Sequence, residues 1–591
     1  MTDGAAQAGV TIDNKVDCTM QKRQAFLFAA ATVLLMLWGL GARGLWAAEG
    51  RWAEVVREMR LTRDFFHPTI GGEPYFDKPL LTYWFRVVIS AVTGVLNEFT
   101  VRLPSALAGI VALWATVRLG TRLWSARTGR LAGWFLLTTY AFLFWSRTGT
   151  ADAENMAFTM VAVAWYWSRR DRPTFLAMLV FYLIVFVGAQ TKGLTAIAVP
   201  IVVVLPDIVA ERRWRLLLRP GHLLALGIGL LVYLSPFVYA SFTQASDYQS
   251  SGLGLVFQEN ILRYFSPLDH KGPFYLYAYE LPVLLLPWTP LFVLVAIGVA
   301  RCRRSLDHHT RWLVWAIVLV FLFFTLSGSR RSYYILPILP FCALLMAVFV
   351  AWVHQEGTEK WHRRGLNIQR IVFVGLIAFE LAIPLVLTIS RRMIGFKVPL
   401  GFYVASLVIG VSAALVGSLL RRLSRGSGSP AGAAEAVWPL VGVAVVLLAG
   451  YFCWQQNILE VNRTERPFAR RLQARVSGSS LRPAGVFPKC NANILFYLDT
   501  QGPVQVLTGP DQLRRFMDQT CPGVVITQQR YTAAIPADIA ADLQRQKTLH
   551  EDVRPWESRS SRKEKWVAWF WESSPAIAAM AKAKEGANDA K

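Results

Sequence analysis

The sequence predicts a polytopic α-helical membrane protein with about 13 transmembrane helices, followed by a small C-terminal α/β domain. Its composition points to this class, because 54% of the 591 residues are hydrophobic and 17% are charged. Apolar runs of about 17–25 residues, the length that a helix needs to cross the hydrocarbon core, recur along the chain. Clusters of arginine and lysine separate many of these runs, as expected for cytoplasmic loops.

The first apolar run, residues 25–47, predicts a retained first helix after a cytoplasmic N-terminus of residues 1–23. It is too long and too little interrupted to be the hydrophobic part of a cleavable signal peptide. Further spans, within a membrane domain of residues 24–457, are predicted at 103–122, 130–146, 153–168, 174–190, 194–209, 221–243, 274–300, 311–327, 333–353, 369–390, 399–420 and 436–456. Residues 80–96 are also apolar, but a full crossing there would invert every later assignment. We therefore predict an interfacial or re-entrant helix at 80–96.

Basic clusters orient the predicted spans. Cytoplasmic loops are expected at 122–130, 169–172, 212–219, 301–311, 360–370 and 421–425. The connections at 48–85, Asp152, Lys192, 244–273 and 327–331 then lie on the outer side, together with the C-terminal region. The net charge of +24 is explained by basic loops that touch anionic lipid. It does not indicate nucleic-acid binding, because no basic patch is interleaved with exposed aromatic residues in a soluble domain.

The composition becomes less apolar from about residue 461, and a periplasmic α/β domain is predicted over residues 458–573. Helices are expected at 465–475 and 511–517, and strands at 485–487, 494–497, 504–507, 524–526 and 566–570. The Ala- and Lys-rich tail, residues 574–591, is expected to be disordered. Cys490 and Cys521 either form a disulfide in this domain or remain two free thiols, and both options stay open.

Ionisable residues near a membrane are candidates for function, because burying them unpaired is costly. The predicted topology places many of them on the outer side: Glu49, Arg51, Asp77, Lys78, Asp152, Glu154, Lys192, Arg263, His270, Lys271, Arg330 and Arg331. The positive-inside rule predicts few lysine and arginine residues on the outer side of the membrane. Lysine and arginine are natural phosphate ligands, so the set suits a phosphorylated lipid, with a carboxylate as general base or orienting group. For any single residue, a topology-setting charge or a salt bridge explains its presence about equally well.

Several of these residues stand in blocks that resemble a known family. Residues 49–59, beginning Glu-Gly-Arg-Trp-Ala-Glu, are similar to a family block Asp-Glu-x-Arg-Tyr-Ala-Glu, and Tyr75-Phe76-Asp77-Lys78-Pro79 is similar to Tyr-Phe-Glu-Lys-Pro. Further blocks lie at 191–200, 270–274, 287–288 and 334–337. In this order, over residues 25–345, the chain resembles the bacterial lipid A aminoarabinose transferases and, more distantly, the protein O-mannosyltransferases. Both are lipid-dependent glycosyltransferases of the GT-C type.

The resemblance implies an inverting enzyme that moves a sugar, expected to be 4-amino-4-deoxy-L-arabinose, from undecaprenyl phosphate to lipid A phosphate without a metal or other cofactor. The donor phosphate would be held by Arg51, Lys78, Lys192, Arg263, Arg330 and Arg331, and the substrate pocket lined by Tyr75, Asp77, Glu154, His270, Lys271, Tyr333 and Tyr334. The tyrosines fit equally well as membrane-interface aromatics. Ala48 replaces the first acidic residue of the family block, so the catalytic carboxylate is expected to be Glu49 or Asp152.

Three functions remain open from the sequence. The first is transfer to lipid A at the periplasmic face of the bacterial inner membrane, by a monomer surrounded by membrane lipids. The second keeps this chemistry but uses another acceptor: a protein hydroxyl, a lipopolysaccharide core sugar or another glycolipid. The third is a lipid or sugar transporter. The long outer loop and the lack of an evident inverted repeat in the sequence disfavour transport.

Overall fold

A computed structural model describes residues 22–46, 48–76, 78–243, 272–352, 359–394, 398–426, 435–477, 484–489, 491–500, 504–520, 523–544, 547–554 and 557–571. Six residues with sequence predictions lie outside these ranges: Asp77, Arg263, His270, Lys271, Cys490 and Cys521. The predicted tail and most of the cytoplasmic N-terminus also lie outside the described residues.

Apolar helices make up most of the described chain. Seven of them are long and apolar enough to cross a membrane: Glu98–Leu123, Phe175–Lys192, Pro220–Phe242, His308–Leu326, Gly365–Ile389, Leu400–Leu423 and Trp438–Asn462. A bent pair, Leu276–Leu284 and Thr289–Arg301, would make eight if it counts as one span. Other helices are 22–37, Ala126–Leu137, Tyr140–Ser146, Asp152–Arg169, Thr195–Ala210 and Leu339–Trp352. The two longest, Glu359–Ile394 and Leu400–Gly426, extend beyond their apolar parts.

Every predicted span overlaps a helix or a pair of helices, and the number of actual crossings stays a prediction. The predicted span 130–146 is divided into Ala126–Leu137 and Tyr140–Ser146, and the span 274–300 is bent by 118°. The helix Leu81–Thr93 has 13 residues, or about 20 Å of length. This is shorter than the hydrocarbon core of about 30 Å, but so are the 16-residue helix Thr195–Ala210 and the 14-residue helix Leu339–Trp352. The interfacial or re-entrant helix at 80–96 therefore stays a prediction.

The first predicted span, 25–47, is wrong at its C-terminal end. The helix ends at residue 37, and Gly39 has a φ of 65°, in the left-handed region that favours glycine. The next residues form turns whose carbonyl groups need partners inside the protein. Arg102 supplies them, since its guanidinium donates to the carbonyl oxygens of Leu40, Arg43 and Gly44 at 2.7–2.9 Å.

The outer loop after the first helix is folded rather than extended. It forms a 14-residue helix, Glu49–Thr62, which we call the outer helix. A short antiparallel pair of strands follows, Thr69–Ile70 and Glu73–Pro74, which we call the hairpin. Gly71 and Gly72 form its turn with φ values of 66° and 77°. Positive φ at both central residues matches the twist of a two-residue hairpin and is the reason that glycine stands there.

The C-terminal region is an α/β domain with a five-stranded sheet. Across the sheet the strands run Gln505–Val506, Ala484–Phe487, Gly523–Gln528, Trp566–Trp571 and Lys547–His550. The first three are parallel and the remaining neighbours pair antiparallel. The helices are Glu465–Ser477, Ala492–Leu498, Pro510–Gln519, Ala537–Gln544 and Arg559–Lys563. The strand Lys547–His550 was not predicted from the sequence, and the strand predicted at 494–497 is wrong, because these residues lie in a helix. Asn491 caps that helix by accepting the N–H groups of Asn493 and Ile494.

The C-terminal domain contacts the outer helix directly. A Cβ atom on Gly50 would lie 1.7 Å from Oδ1 and 2.8 Å from the backbone nitrogen of Asn493, so the domain approaches closer than any side chain at residue 50 would permit. Arg57 of the outer helix donates to the carbonyl oxygen of Thr500 at 2.7 Å. The hydroxyl of Tyr497 accepts the backbone N–H of Leu45 at 2.7 Å. The domain therefore packs directly against the outer helix and the turn that precedes it.

Candidate functional site

Two helix ends that are distant in sequence bring opposite charges together. Asp152 is the first residue of Asp152–Arg169, and Lys192 is the last residue of Phe175–Lys192. The Lys192 ammonium forms a short ion pair with Oδ1 of Asp152. Oδ2 of the same carboxylate accepts the hydroxyl of Thr150 at 2.8 Å. Asp152 is 4% exposed, so this pair lies inside the protein, where charge interactions are stronger than in water.

Two tyrosines and an arginine complete this cluster. The Lys192 ammonium lies 5.7 Å from the ring centre of Tyr333 and 5.3 Å from that of Tyr334. Arg331 donates to the hydroxyl of Tyr333 at 2.7 Å, and its guanidinium carbon lies 5.8 Å from the same ring. The cluster therefore contains two cations and one carboxylate. Lysine and arginine side chains beside two aromatic rings suit an anionic ligand such as a phosphate group. We call Asp152, Lys192, Arg331, Tyr333 and Tyr334 the central cluster.

Glu49, the other predicted catalytic carboxylate, is fully buried and has both oxygens occupied. Arg102 donates to Oε1 at 2.7 Å and to Oε2 at 2.8 Å. The backbone N–H of Gly149 donates to Oε1 at 2.7 Å, and that of Trp46 donates to Oε2 at 2.8 Å. Burial would raise the pKa of Glu49, but Arg102, Arg43 and the backbone N–H of Gly149 lower it to about 2. The carboxylate is thus ionised, and its neighbours leave little room for a substrate group.

Arg102 is a central residue of this region that the sequence analysis missed. It is 1% exposed and uses all five of its N–H groups, on the two oxygens of Glu49 and on three backbone carbonyls. It stands one residue before a predicted span, where a basic residue is usually interpreted as a charge that marks the end of the helix. The signal that was available is its position at an outer end of a span, where cations are uncommon.

Glu154 forms a further buried ion pair. Arg86 of the helix Leu81–Thr93 donates to its Oε1 at 2.9 Å, and both side chains are at most 1% exposed. Arg86 also donates to the side-chain oxygens of Thr82 at 2.8 Å and Ser105 at 3.1 Å. Glu154 lies in the first turn of the helix Asp152–Arg169, as Asp152 does. Its ion pair with Arg86 connects this helix to the helix Leu81–Thr93.

The remaining predicted phosphate ligands lie in different surroundings. Arg51 of the outer helix donates to the hydroxyl of Tyr75 at 3.0 Å. Lys78 follows the hairpin and is half-buried. Arg330 donates to the carbonyl oxygens of Thr325 at 3.1 Å and Gly272 at 2.9 Å, which commits part of its guanidinium to the backbone. Of the predicted set, the structure therefore brings Asp152, Lys192, Arg331, Tyr333 and Tyr334 together, and Arg51 with Tyr75.

Among the described residues, one group has the spacing of metal ligands: Asp207, Glu211 and His308. A guanidinium already occupies it, because Arg170 donates to both oxygens of Asp207 at 2.8–3.1 Å. Tyr166 donates to the same carboxylate at 2.5 Å. Because Arg170 already supplies a cation, we interpret this group as an ion-pair network. It joins the ends of helices whose other ends carry the central cluster.

Comparisons with known proteins agree with the resemblance. The family model for dolichyl-phosphate-mannose-protein mannosyltransferase matches residues 77–239. The undecaprenyl phosphate-alpha-4-amino-4-deoxy-L-arabinose arabinosyl transferase of Aeromonas salmonicida (strain A449) is 29% identical over 461 residues, which cover 76% of this chain and 80% of that protein. Its namesake from Pseudomonas paraeruginosa (strain DSM 24068 / PA7) is 30% identical over 446 residues, covering 73% and 75%.

A solved structure has the same fold. The crystal structure of ArnT from Cupriavidus metallidurans bound to undecaprenyl phosphate superposes with a TM-score of 0.70 and 19% identity, covering 92% of this chain and 97% of that one. This likeness confirms a multi-pass GT-C architecture. Because the Pseudomonas paraeruginosa relative is 30% identical and the alignment covers 73% of this chain and 75% of that protein, the chain belongs to the family of undecaprenyl phosphate-α-4-amino-4-deoxy-L-arabinose arabinosyl transferases.

Proposed function

We propose that this protein transfers 4-amino-4-deoxy-L-arabinose from undecaprenyl phosphate to a phosphate of lipid A, at the periplasmic face of the bacterial inner membrane. Family membership supports the reaction class, and the names of the relatives supply the sugar and its carrier. The observation that carries the proposal is the central cluster, in which the buried Asp152 pairs with Lys192, and Lys192 and Arg331 both contact Tyr333.

In this mechanism the cations bind the phosphodiester of the donor. Lys192 and Arg331 of the central cluster supply two of them, and the other predicted ligands are Arg51, Lys78, Arg263 and Arg330. As the bond from the sugar to the carrier phosphate breaks, negative charge grows on the leaving phosphate. Cations already fixed in a buried site stabilise that charge without having to reorganise. Because Lys192 also contacts Asp152, a bound phosphate would compete for its ammonium and loosen the pair.

Asp152 is the carboxylate that we assign to the acceptor. An oxygen of the acceptor phosphate attacks the anomeric carbon from the face opposite the carrier, the new carbon–oxygen bond inverts that centre, and undecaprenyl phosphate leaves with the bonding electrons. A phosphate acceptor is already ionised near neutral pH, so Asp152 is not needed as a strong base. It orients the acceptor by accepting a hydrogen bond from the P–OH group of the monoanionic phosphate. Glu49 is assigned a positioning role, because its carboxylate is committed to Arg102, Gly149 and Trp46. The mechanism uses no metal or other cofactor, and we propose that a monomer suffices.

One observation supports a second candidate acceptor. Ala48 precedes the outer helix, makes no side-chain hydrogen bond to its first turn, and replaces an acidic residue of the family block. Ala48 changes the part of the site that we assign to the acceptor, so the acceptor need not be that of the relatives, and a hydroxyl acceptor would rely on Asp152 alone as its base. The alternative keeps the same donor but transfers to another envelope molecule: a protein hydroxyl, a lipopolysaccharide core sugar or another glycolipid.

The test is mass spectrometry of lipid A from cells with and without the gene, complemented by wild-type protein, Asp152→Asn or Lys192→Met. We expect a mass gain of one aminopentose on lipid A with the wild type and no gain with either variant, at equal amounts of membrane-inserted protein. Lipid A that is unchanged in all strains would refute transfer to lipid A. A modified protein or core sugar in the same cells would then establish the second candidate.

A further inference from the structure

The segment that leads to Lys78 is too short to hold its own shape. Each strand of the hairpin has two residues, and the backbone N–H of Tyr75 adds one bond to the carbonyl oxygen of Pro68 at 2.8 Å. Isolated two-stranded hairpins are marginal in water even when they are longer. Whatever sets the position of this hairpin must therefore lie outside it.

Glu58 of the outer helix binds the hairpin at its turn. Its Oε1 accepts the backbone N–H of Gly71 at 2.6 Å, and its Oε2 accepts that of Gly72 at 3.2 Å. The hydroxyl of Thr69 also donates to Oε2, at 2.5 Å. Glu58 is 2% exposed. One buried carboxylate thus satisfies three donors, one on the first strand and two in the turn, and hydrogen bonds to a carboxylate are strong ones.

A second contact from the same helix fixes the end of the segment. Arg51 donates to the hydroxyl of Tyr75 at 3.0 Å. Residues 51 and 58 are seven apart, which places them within about 20° of each other around a helix. The same face of the outer helix therefore binds residues 69–72 through Glu58 and Tyr75 through Arg51. Lys78 follows three residues later, close behind the last of these contacts.

We propose that Glu58 is a positioning residue for donor binding, which fixes the hairpin so that Lys78 is held where the donor phosphate binds. The inference rests on the proposed function, in which Lys78 is a phosphate ligand. Glu58 does not touch the substrate. It acts through the backbone of Gly71 and Gly72, where a neutral amide cannot accept as many N–H groups as a carboxylate.

The test compares Glu58→Gln with the wild type in full-length, detergent-purified protein. Glutamine keeps the size of the side chain but replaces one acceptor oxygen with a donor. We expect the Kd for undecaprenyl phosphate and the KM for the donor to rise about tenfold, with kcat changed less than KM, because the reacting groups of the central cluster are untouched. Glu58→Asp, which keeps the carboxylate, should recover part of the affinity. Glu73→Gln, an exposed residue on the other strand of the same hairpin, is the matched control and should bind as the wild type does.

The outcomes separate this inference from the proposed function. Unchanged Kd and KM in Glu58→Gln would overturn the positioning role, as would equal losses in Glu58→Gln and Glu73→Gln. If Lys78→Ala binds undecaprenyl phosphate normally, the assignment of Lys78 to the phosphate is wrong, whatever Glu58 does. If Glu58→Gln does not fold, Thr69→Val removes one of the three donors with little change in volume. A smaller rise in Kd is then expected, and its absence would overturn the inference.

Discussion

Replacing Glu49 by glutamine should reduce the stability of the protein before it affects the chemistry. Each oxygen of the Glu49 carboxylate accepts one N–H from Arg102 and one backbone N–H. Whichever way a glutamine amide is turned, its NH₂ group faces two of these four donors. Two hydrogen bonds to a charged group are lost, at about 1.5–3 kcal/mol each. Breaking a buried ion pair by removing one partner costs about 3–5 kcal/mol, which gives the same range.

The assay is thermal unfolding of purified Glu49→Gln and wild type in the same detergent. With an unfolding entropy of about 2.1 cal/mol/K per residue, a loss of about 4 kcal/mol lowers the midpoint by about 3 °C if the whole chain unfolds together, and by more if a smaller unit does.

The effect of Glu49→Gln on stability also depends on pH. Because the pKa of Glu49 in the folded protein is about 2, below its ordinary 4.5, the stability that its charge contributes is present above about pH 4.5 and is lost as the pH falls towards 2. Glu49→Gln should lack this dependence.

The comparison with Asp152→Asn decides between the two carboxylates. We expect Asp152→Asn to abolish transfer with a smaller loss of stability, and the folded fraction of Glu49→Gln to retain measurable transfer. A Glu49→Gln protein with the midpoint of the wild type and no transfer would refute this reasoning. In that case the catalytic role would be assigned to Glu49 instead of Asp152.

Three further variants test other parts of the structure. Gly50→Ala should lower the unfolding midpoint and expose the C-terminal domain to protease, because the new Cβ would lie 2.8 Å from the backbone nitrogen of Asn493; unchanged proteolysis would contradict that contact. Asp207→Asn should cost about 3–5 kcal/mol by leaving Arg170 without its buried partner, measured as a lower midpoint with transfer retained per folded molecule. Burial and a neighbouring carboxylate raise the pKa of Glu465 to about 7 from 4.5, so its contribution to stability is lost as the pH rises through that interval. Glu465→Gln should therefore stabilise the protein more at about pH 8 than at about pH 5, and an equal change in midpoint at both would be inconsistent with this assignment.

The sequence predicted the helices well and their ends less well. Apolar runs are local, so each predicted span overlaps a helix in the structure. The break near Gly39 was missed because the apolar run continues past it, while Arg102, 63 positions later, supplies the partners for the turn that follows. The strand assigned to 494–497 was wrong because four consecutive apolar or aromatic residues fit a buried strand and a short helix equally well. The cap at Asn491 decides for the helix.

For the candidate site too, some features follow from the local sequence and others from the tertiary structure. Residue types alone indicated an outer layer of cations with a few carboxylates, and the order of the sequence blocks indicated the family. Both can be read from the linear sequence without knowing which residues are in contact. The surroundings of the two carboxylates differ, and that difference appears only in three dimensions. Glu49 and Asp152 are both buried acids next to a cation, but Arg102, Gly149 and Trp46 surround the first completely, whereas the second shares a lysine with two tyrosines. Burial and the saturation of hydrogen bonds depend on residues far apart in the chain, and no local pattern encodes them.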